Sequence, residues 1–227
     1  MLKDSPKAKA LSSFRSHKVW IVASWGLAIV FGTALRLGWI PAIDLPVLTW
    51  IHNNQLPWLQ QLMYIFSIIG NWQAYLIVLV VLALILISKK QLRTWLILTF
   101  NTLTTFGMSQ LFKLIFHRER PSDFFLIEQG GHSFPSGHAM VSVALYLSAA
   151  LMLARLYPDE KWKSVNLGII SFMPGLSRLF MGVHYPTDVL IGWLLGVSAA
   201  FFWYELWLQP EKEKSIIRLA GKSLFHD

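Results

Sequence analysis

The amino-acid sequence predicts an all-α, polytopic membrane protein built as a bundle of six transmembrane helices, and three observations carry this prediction. The chain has 227 residues, of which 55% are hydrophobic and only 14% are charged, whereas soluble domains have about 25% charged residues. Several apolar stretches approach the roughly 20 residues that a helix needs to cross a bilayer. The basic residues, which give a formal net charge of +8, lie in short segments between those stretches. This placement indicates membrane orientation rather than binding to nucleic acid.

The N-terminal part begins with a short basic tail, residues 1–18, followed by the uncharged residues 19–35, which form the first predicted helix. Cleavage as a signal peptide after Ala34 is the alternative, because small residues flank that site, but the apolar run continues past it. Residues 38–61 contain prolines and tryptophans and no Lys or Arg. We expect this segment to lie at the outer interface of the membrane, with its tryptophans at the level of the headgroups.

The second predicted helix spans residues 62–87, but Gly70 and Asn71 weaken its first half, so its membrane-crossing part is expected to begin near Trp72. The third, residues 94–112, is uncharged but carries Asn, Thr and Ser side chains, which should face other helices rather than lipid. The last three predicted helices are residues 135–154, 165–183 and 189–207.

The distribution of basic residues also predicts the orientation of these helices. Basic segments precede the first helix and follow the second, fourth and sixth, which places both termini in the cytoplasm. Lys113, Arg118 and Arg120 break this rule because they would lie outside, and a cationic site that binds phosphate would explain the exception. The predicted divisions of the chain are a cytoplasmic N-terminal tail (1–18), a membrane domain (19–208) and a cytoplasmic C-terminal tail (209–227).

Three short motifs fall at the predicted outer ends of helices three to six. Charged groups at a membrane edge are costly unless they are paired or used. Lysine and arginine can offset the charge of a phosphate, and the free N–H groups at a helix start can bind its oxygens. A histidine with a carboxylate four residues later indicates a nucleophile or base held in one orientation. The motifs are Lys113 with Arg120-Pro121, Pro135-Ser136-Gly137-His138, and Ser177-Arg178 with His184 and Asp188.

In this order and spacing the motifs resemble the signature of the type 2 phosphatidic acid phosphatase superfamily of membrane lipid phosphatases. That signature is a lysine, six residues and Arg-Pro; then Pro-Ser-Gly-His; then Ser-Arg, five residues, a histidine, three residues and an aspartate. The chain fits it without a gap or substitution over residues 113–188, about a third of its length.

The resemblance implies a phosphatase that needs no metal or cofactor and acts on a lipid phosphate in the bilayer. It implies that His184 attacks the phosphate and becomes a phosphohistidine, that Asp188 orients His184, and that His138 protonates the leaving oxygen and then activates water. The implied substrates are undecaprenyl diphosphate, phosphatidylglycerophosphate or phosphatidate, met at the outer face. The residues implied to bind phosphate are Lys113, Arg120, Arg178, Ser136 and Gly137.

Three other classes of function stay open. The family site is shared with the vanadium haloperoxidases, but those are soluble, and six membrane helices argue against them. The other two are a membrane phosphatase for a soluble phosphate ester and a catalytically inactive homologue that binds or transports lipid. The absence of cysteine excludes a thiol nucleophile and a cysteine-ligated metal. The sequence leaves the oligomeric state open. Close to the motifs, His117, Arg118 and His132 are expected to be solvated or to bind anionic lipid. Ser177 is expected to contact either the phosphate or its own helix.

Overall fold

A computed structural model describes the backbone of residues 6–223 and the side chains of residues 18–210. Within that part of the chain every regular element is a helix, which confirms the predicted all-α class. Residues 1–5 and 224–227 of the predicted tails lie outside the described residues, and the rest of each tail continues as helix in α1 or α10. The helices are α1 (Pro6–Arg36), α2 (Asp44–Asn54), α3 (Pro57–Ile69), α4 (Trp72–Ser88), α5 (Leu92–Phe116), α6 (Gly137–Ser142), α7 (Ser148–Leu156), α8 (Lys161–Ile170), α9 (Met173–Phe180) and α10 (Pro186–Ser223).

Three helical stretches among the described residues are each long and apolar enough to cross a membrane, namely Lys18–Arg36, Gly137–Leu156 and Pro186–Pro210. They correspond to the first, fourth and sixth predicted helices. The middle one is continuous because a π-helical turn, Val143–Leu147, joins α6 to α7. These stretches fit a helical membrane protein.

The second and fifth predicted helices are each broken. Helices α3 and α4 together have the length and composition of one span, but they bend by 61° where the chain leaves helix at Gly70 and Asn71. The fifth predicted helix is divided into α8 and α9 just before Pro174, whose ring disfavours a continuous helix at that point. Both breaks lie beside residues of the candidate site described below.

Polar side chains of α5 make most of their contacts inside the bundle. Asn101 is fully buried, and its Nδ2 donates to the carbonyl oxygen of Ala144 (2.7 Å) and to Ser148 Oγ (2.8 Å). Ala144 belongs to the π-helical turn, where the backbone pairing departs from that of an α-helix. Thr104 is the exception to the prediction, since it is exposed and bonds to its own helix. The hydrogen bonds of Asn101 therefore fix α5 against the helical stretch that begins at Gly137.

Helix α10 approaches α6 closely because it presents glycines to it. A Cβ added at Gly192 would lie 2.8 Å from the carbonyl oxygen of Ser136, and one at Gly196 would lie 2.6 Å from that of Met140. Small residues let two helix backbones meet in this way inside a membrane. The close approach brings the N-terminus of α10 beside the N-terminus of α6, where the candidate site forms.

The segment predicted to lie at the outer interface, residues 38–61, contains the short helix α2. Leu48 and Ile51 are buried against the bundle, whereas Trp50 is 67% exposed. Asp44, the first residue of α2, is fully buried. A carboxylate in such a place needs partners, and these partners belong to the candidate site.

Candidate active site

The three motifs converge at one end of the bundle. Lys113 lies in the last turn of α5, Gly137 and His138 open α6, Arg178 lies in the last turn of α9, and Asp188 lies in the first turn of α10. Pro186 occupies the first turn of α10, where its missing N–H costs nothing. The ends of four helices thus supply the side chains of a single site.

His184 occupies the centre of this site and is only 2% exposed. Its Nε2 lies 3.1 Å from Arg120 Nη1, and its Nδ1 lies 3.4 Å from Asp188 Oδ2. The second pair is within ion-pair distance but lacks hydrogen-bond geometry, so Nδ1 has no hydrogen bond to any described residue. Because Arg120 can only donate, these neighbours favour the tautomer with a lone pair on Nε2 and a proton on Nδ1.

The charge state of His184 follows from the same surroundings. Burial, followed by the positive charges of Arg120, Arg178 and Lys113, holds the pKa of His184 well below its ordinary range. The imidazole is therefore neutral at neutral pH, with its Nε2 lone pair available to attack an electrophile.

Arg120 connects the loop after α5 to the segment that carries His184. Its Nε donates to the carbonyl oxygen of Gly131 (2.9 Å), its Nη2 to that of His132 (3.1 Å), and its Nη1 to that of Val183 (2.7 Å). Burial lowers the pKa of Arg120 to about 10, so the guanidinium stays charged at neutral pH. It can therefore serve both as a structural tie and as a cation beside Nε2 of His184.

Arg178 is a second buried cation, only 1% exposed. Its Nη1 donates to Ser67 Oγ and its Nη2 to Gln129 Oε1, each at 2.5 Å. Its Nε has no hydrogen-bond partner among the described residues. A buried guanidinium held by two neutral acceptors keeps an uncompensated positive charge next to the site, which favours an anionic ligand.

The second histidine, His138, lies in the first turn of α6 against the break between α3 and α4. Its Nε2 lies 3.0 Å from Asn71 Oδ1. A Cβ at Gly70 would lie 2.5 Å from the His138 ring, so the glycine makes room for it. Ser136 is the N-cap of α6, because its side chain accepts a hydrogen bond from the backbone N–H of Ala139.

A cavity of about 400 Å³ opens in front of these residues. Lys113, Arg120, Gly137, His138 and His184 all line it. Arg178, Ser136 and Asp188 are buried and are not among the residues that line it. One wall is formed by side chains of α4 and α5 that are exposed on the surface of the bundle, namely Trp72, Phe106 and Leu114. The arrangement offers one neutral imidazole nitrogen and several cations to an anionic group, with apolar surface beside it.

A comparison with protein families identifies the family to which the chain belongs. Residues 76–211 match the family model of the PAP2 superfamily, which is more than half of the chain. The chain belongs to the PAP2 superfamily. The resemblance noted in the sequence is thereby confirmed.

Named relatives and a solved structure agree with this assignment. The PAP2 protein is 29% identical over 153 residues to a phosphatidylglycerophosphatase B of Bacillus subtilis, covering 64% of this chain and 73% of the relative. It is 32% identical over 158 residues to an undecaprenyl-diphosphatase of Sulfolobus acidocaldarius, covering 66% and 72%. A crystal structure of a transmembrane PAP2-type phosphatidylglycerolphosphate phosphatase from Bacillus subtilis matches with a TM-score of 0.75 at 24% identity, over 82% of this chain and 94% of that chain. The fold is therefore shared.

Arg118 of the PAP2 protein is placed differently from the prediction. Instead of being solvated or free for lipid, its side chain is only 10% exposed and forms ion pairs with Asp44 and Asp188. The sequence prediction was wrong because Asp44 is 74 positions away from Arg118 in the sequence. No local sequence pattern indicates a contact over that distance. The same reason explains why Asn71 and Gln129 were missed as partners of His138 and Arg178.

The structure also gives the contacts of Ser177, His117 and His132, the other residues near the motifs. Ser177 Oγ donates to the carbonyl oxygen of Pro174 (2.8 Å), so it contacts its own helix. The rings of His117 and His132 lie 4.6 Å apart at their centroids, and His132 also lines the cavity. Among the described side chains, those of residues 18–210, no three His, Asp or Glu come together as metal ligands would.

Proposed function

We propose that this PAP2 protein is an integral membrane lipid phosphatase that removes the terminal phosphate of a lipid phosphate or diphosphate through a phosphohistidine. The observation that carries the proposal is His184, a buried neutral imidazole whose Nε2 faces a cavity lined by Lys113 and Arg120. A nucleophilic nitrogen surrounded by cations is suited to a dianionic phosphate, whose transfer depends mainly on positioning and electrostatic stabilisation.

Substrate binding rearranges the contacts of Nε2. Without substrate, Arg120 Nη1 lies 3.1 Å from His184 Nε2. When substrate binds, Nη1 donates to a phosphate oxygen instead, and the lone pair of Nε2 is then free to attack. Lys113 and the N–H groups at the start of α6 bind the remaining oxygens, and the buried Arg178 adds positive charge. Each of these groups also stabilises the charge that builds on the equatorial oxygens during transfer.

The chemical step then runs in two halves. In the first, Nε2 of His184 forms a bond to phosphorus as the bond to the lipid oxygen breaks, and His138, protonated in the complex with substrate, gives a proton to that oxygen and becomes neutral. The adjacent Asp188 carboxylate, 3.4 Å from Nδ1, offsets the positive charge that develops on the imidazole. In the second, His138 takes a proton from water, the resulting hydroxide attacks phosphorus, and inorganic phosphate leaves His184 neutral again.

The wall of the cavity favours a lipid over a soluble ester. Trp72, Phe106 and Leu114 are 60%, 40% and 67% exposed, on helices whose outer surface faces the bilayer in the proposed arrangement. A lipid can therefore place its phosphate in the cavity while its chains stay beside these side chains. The names of the two curated relatives point to undecaprenyl diphosphate and phosphatidylglycerophosphate, and phosphatidate is the third substrate we propose.

The orientation is part of the proposal. Six membrane crossings over residues 19–208, with α3–α4 and α8–α9 as broken spans, would put both tails (1–18 and 209–227) in the cytoplasm and the site at the outer face. The basic segments between the helices support this topology. We also propose that no metal takes part, because the cationic side chains of the site offset the negative charge of the phosphate, as a metal ion would otherwise do.

Phosphate release by the purified protein in detergent with EDTA tests the function. Undecaprenyl diphosphate, phosphatidylglycerophosphate and a soluble ester such as glucose 6-phosphate are supplied in parallel. We expect release from at least one lipid that survives EDTA and disappears in His184→Ala, while His52→Ala, an exposed histidine of α2, keeps wild-type activity. Release from the soluble ester alone would favour a soluble-ester phosphatase. No release from any of these three compounds or from phosphatidate would contradict the enzyme assignment.

A further inference from the structure

Arg118 bridges two buried carboxylates beside the nucleophile. Its Nη1 donates to Asp188 Oδ1 at 2.6 Å, and its Nη2 donates to Asp44 Oδ2 at 2.5 Å. The side chains of Asp44 and Asp188 are both fully buried. The ring of Tyr185 supports the guanidinium from one side, with its centroid 4.1 Å from Cζ. Arg118 is therefore held by three groups: the two carboxylates and the ring of Tyr185.

Asp44 is in turn fixed to the start of α10. Its Oδ1 accepts a hydrogen bond from the backbone N–H of Thr187 (3.0 Å), and its Oδ2 accepts one from Thr187 Oγ1 (2.8 Å). Arg118 Nη1 also donates to Thr187 Oγ1 at 2.9 Å. A carboxylate from α2 therefore takes the place of an N-cap for α10 and simultaneously holds Arg118.

The two oxygens of Asp188 have separate partners because of this bridge. Oδ1 is taken by Arg118, whereas Oδ2 accepts from the N–H of Tyr185 (3.0 Å) and faces His184 Nδ1. Without Arg118 the carboxylate could rotate, and its buried charge would lose a cation at 2.6 Å. Misplacement of a reacting group by about 1 Å can cost roughly 10²-fold in rate.

We propose that Arg118 and Asp44 are positioning residues for catalysis: Arg118 orients Asp188 toward His184, and Asp44 holds Arg118 in place from the outer segment. This inference rests on the proposed phosphatase function. Neither residue belongs to the three sequence motifs, and Asp44 lies outside the residues matched by the family model. The outer segment is therefore part of the catalytic apparatus rather than a connection alone.

Kinetics of Asp44→Asn test the proposal. The amide keeps the shape and can still accept from Thr187, but it removes the charge that holds Arg118. We expect kcat to fall by roughly 10²-fold with KM changed by less than about threefold, because the phosphate-binding residues stay in place. Arg118→Lys should behave alike, since one ammonium cannot bridge both carboxylates. Asp123→Asn, which removes a carboxylate outside the bridge, should match the wild type.

A double-mutant cycle separates positioning from simple stabilisation of the fold. If Asp44 acts through Asp188, Asp44→Asn should cost little further activity in an Asp188→Asn protein. A loss of the same size in both backgrounds, or kcat unchanged in Asp44→Asn and Arg118→Lys, would overturn the proposal. A wild-type protein without phosphatase activity would overturn the proposed function as well, whereas an active wild type with unaffected variants would overturn only the positioning role. Thermal unfolding of each variant in detergent identifies any loss that comes from unfolding.

Discussion

Replacing Arg120 by lysine separates its charge from its geometry. Arg120 donates to the carbonyl oxygens of Gly131, Val183 and His132 at 2.9, 2.7 and 3.1 Å, and it faces His184 Nε2 at 3.1 Å. These four acceptors surround the guanidinium, so a lysine ammonium, a single point on a flexible chain, reaches about two of them. The substitution keeps the positive charge and leaves about two acceptors without their donor.

The expected magnitude follows from the cost of an unpaired acceptor. Each buried acceptor that loses its donor costs about 1–3 kcal/mol, so the loss of two donors costs roughly 2–6 kcal/mol. Where that cost falls on the transition state, kcat/KM drops by about 30- to 20,000-fold, because about 1.4 kcal/mol corresponds to a factor of ten. The loss is expected chiefly in kcat, since the misplaced loop no longer presents Nε2 and the phosphate to each other.

Phosphate release from lipid substrate in detergent micelles measures this change. The matched control is Arg93→Lys, because Arg93 also donates to a backbone carbonyl, that of Leu206 at 2.7 Å, but lies at the opposite end of α5. We expect this control to retain wild-type kcat/KM. An Arg120→Lys protein that folds and stays within about threefold of the wild type would show that the charge of Arg120 suffices and that its geometry is not required.

Three further predictions follow from the site and the helix packing. Because burial and nearby cations lower the pKa of His184, and protonation of Nε2 removes its lone pair, the fall of kcat/KM on the acid side, corrected for substrate ionisation, should have its midpoint below about pH 6.5, the ordinary value; an acid-side midpoint at or above that pH would contradict the burial argument. His138→Ala should lower kcat/KM by about 10²–10⁴-fold with a lipid alkoxide leaving group and by less with p-nitrophenyl phosphate, whose leaving group needs no proton; an unchanged kcat/KM with the lipid would rule out His138 as the acid. Gly196→Ala should destabilise the protein by roughly 1–3 kcal/mol in thermal unfolding, because the new Cβ would lie 2.6 Å from the Met140 carbonyl oxygen; an unchanged melting temperature would show that α10 can shift away from α6.

Much of this architecture could be predicted from the sequence because its signals are local. Apolar stretches located most of the helices, and the motif residues were expected at the ends of helices three to six, where the structure brings their side chains to one end of the bundle. The predicted pairing of His184 with Asp188 also needed only a spacing of four residues. The helix breaks were harder, since Gly70 and Asn71 weaken a helix without fixing the 61° bend, which depends on packing against α9 and the His138 ring.

The residues that hold the motifs in place could not be predicted from local pattern. Asp44, Gln129 and Asn71 each contact a motif residue or its partner across 49 or more positions of sequence. Long-range partners of this kind are determined by the tertiary fold, and a single sequence gives no periodicity or spacing that marks them. Arg118 was expected to be solvated or to bind anionic lipid, because the two carboxylates that pair with it, Asp44 and Asp188, are brought to it only by the folded chain.

Trapping the phosphoenzyme tests the central claim most directly. Lipid labelled with ³²P in its terminal phosphate is mixed with wild type, His184→Ala and His138→Ala, and each sample is stopped with alkali, in which phosphohistidine survives. We expect label on the peptide that contains His184 in the wild type, slower labelling of that peptide in His138→Ala because the lipid leaving group has lost its acid, and no label in His184→Ala. Label on a different residue, or turnover of the wild type with no label on protein under single-turnover conditions, would contradict a phosphohistidine at His184.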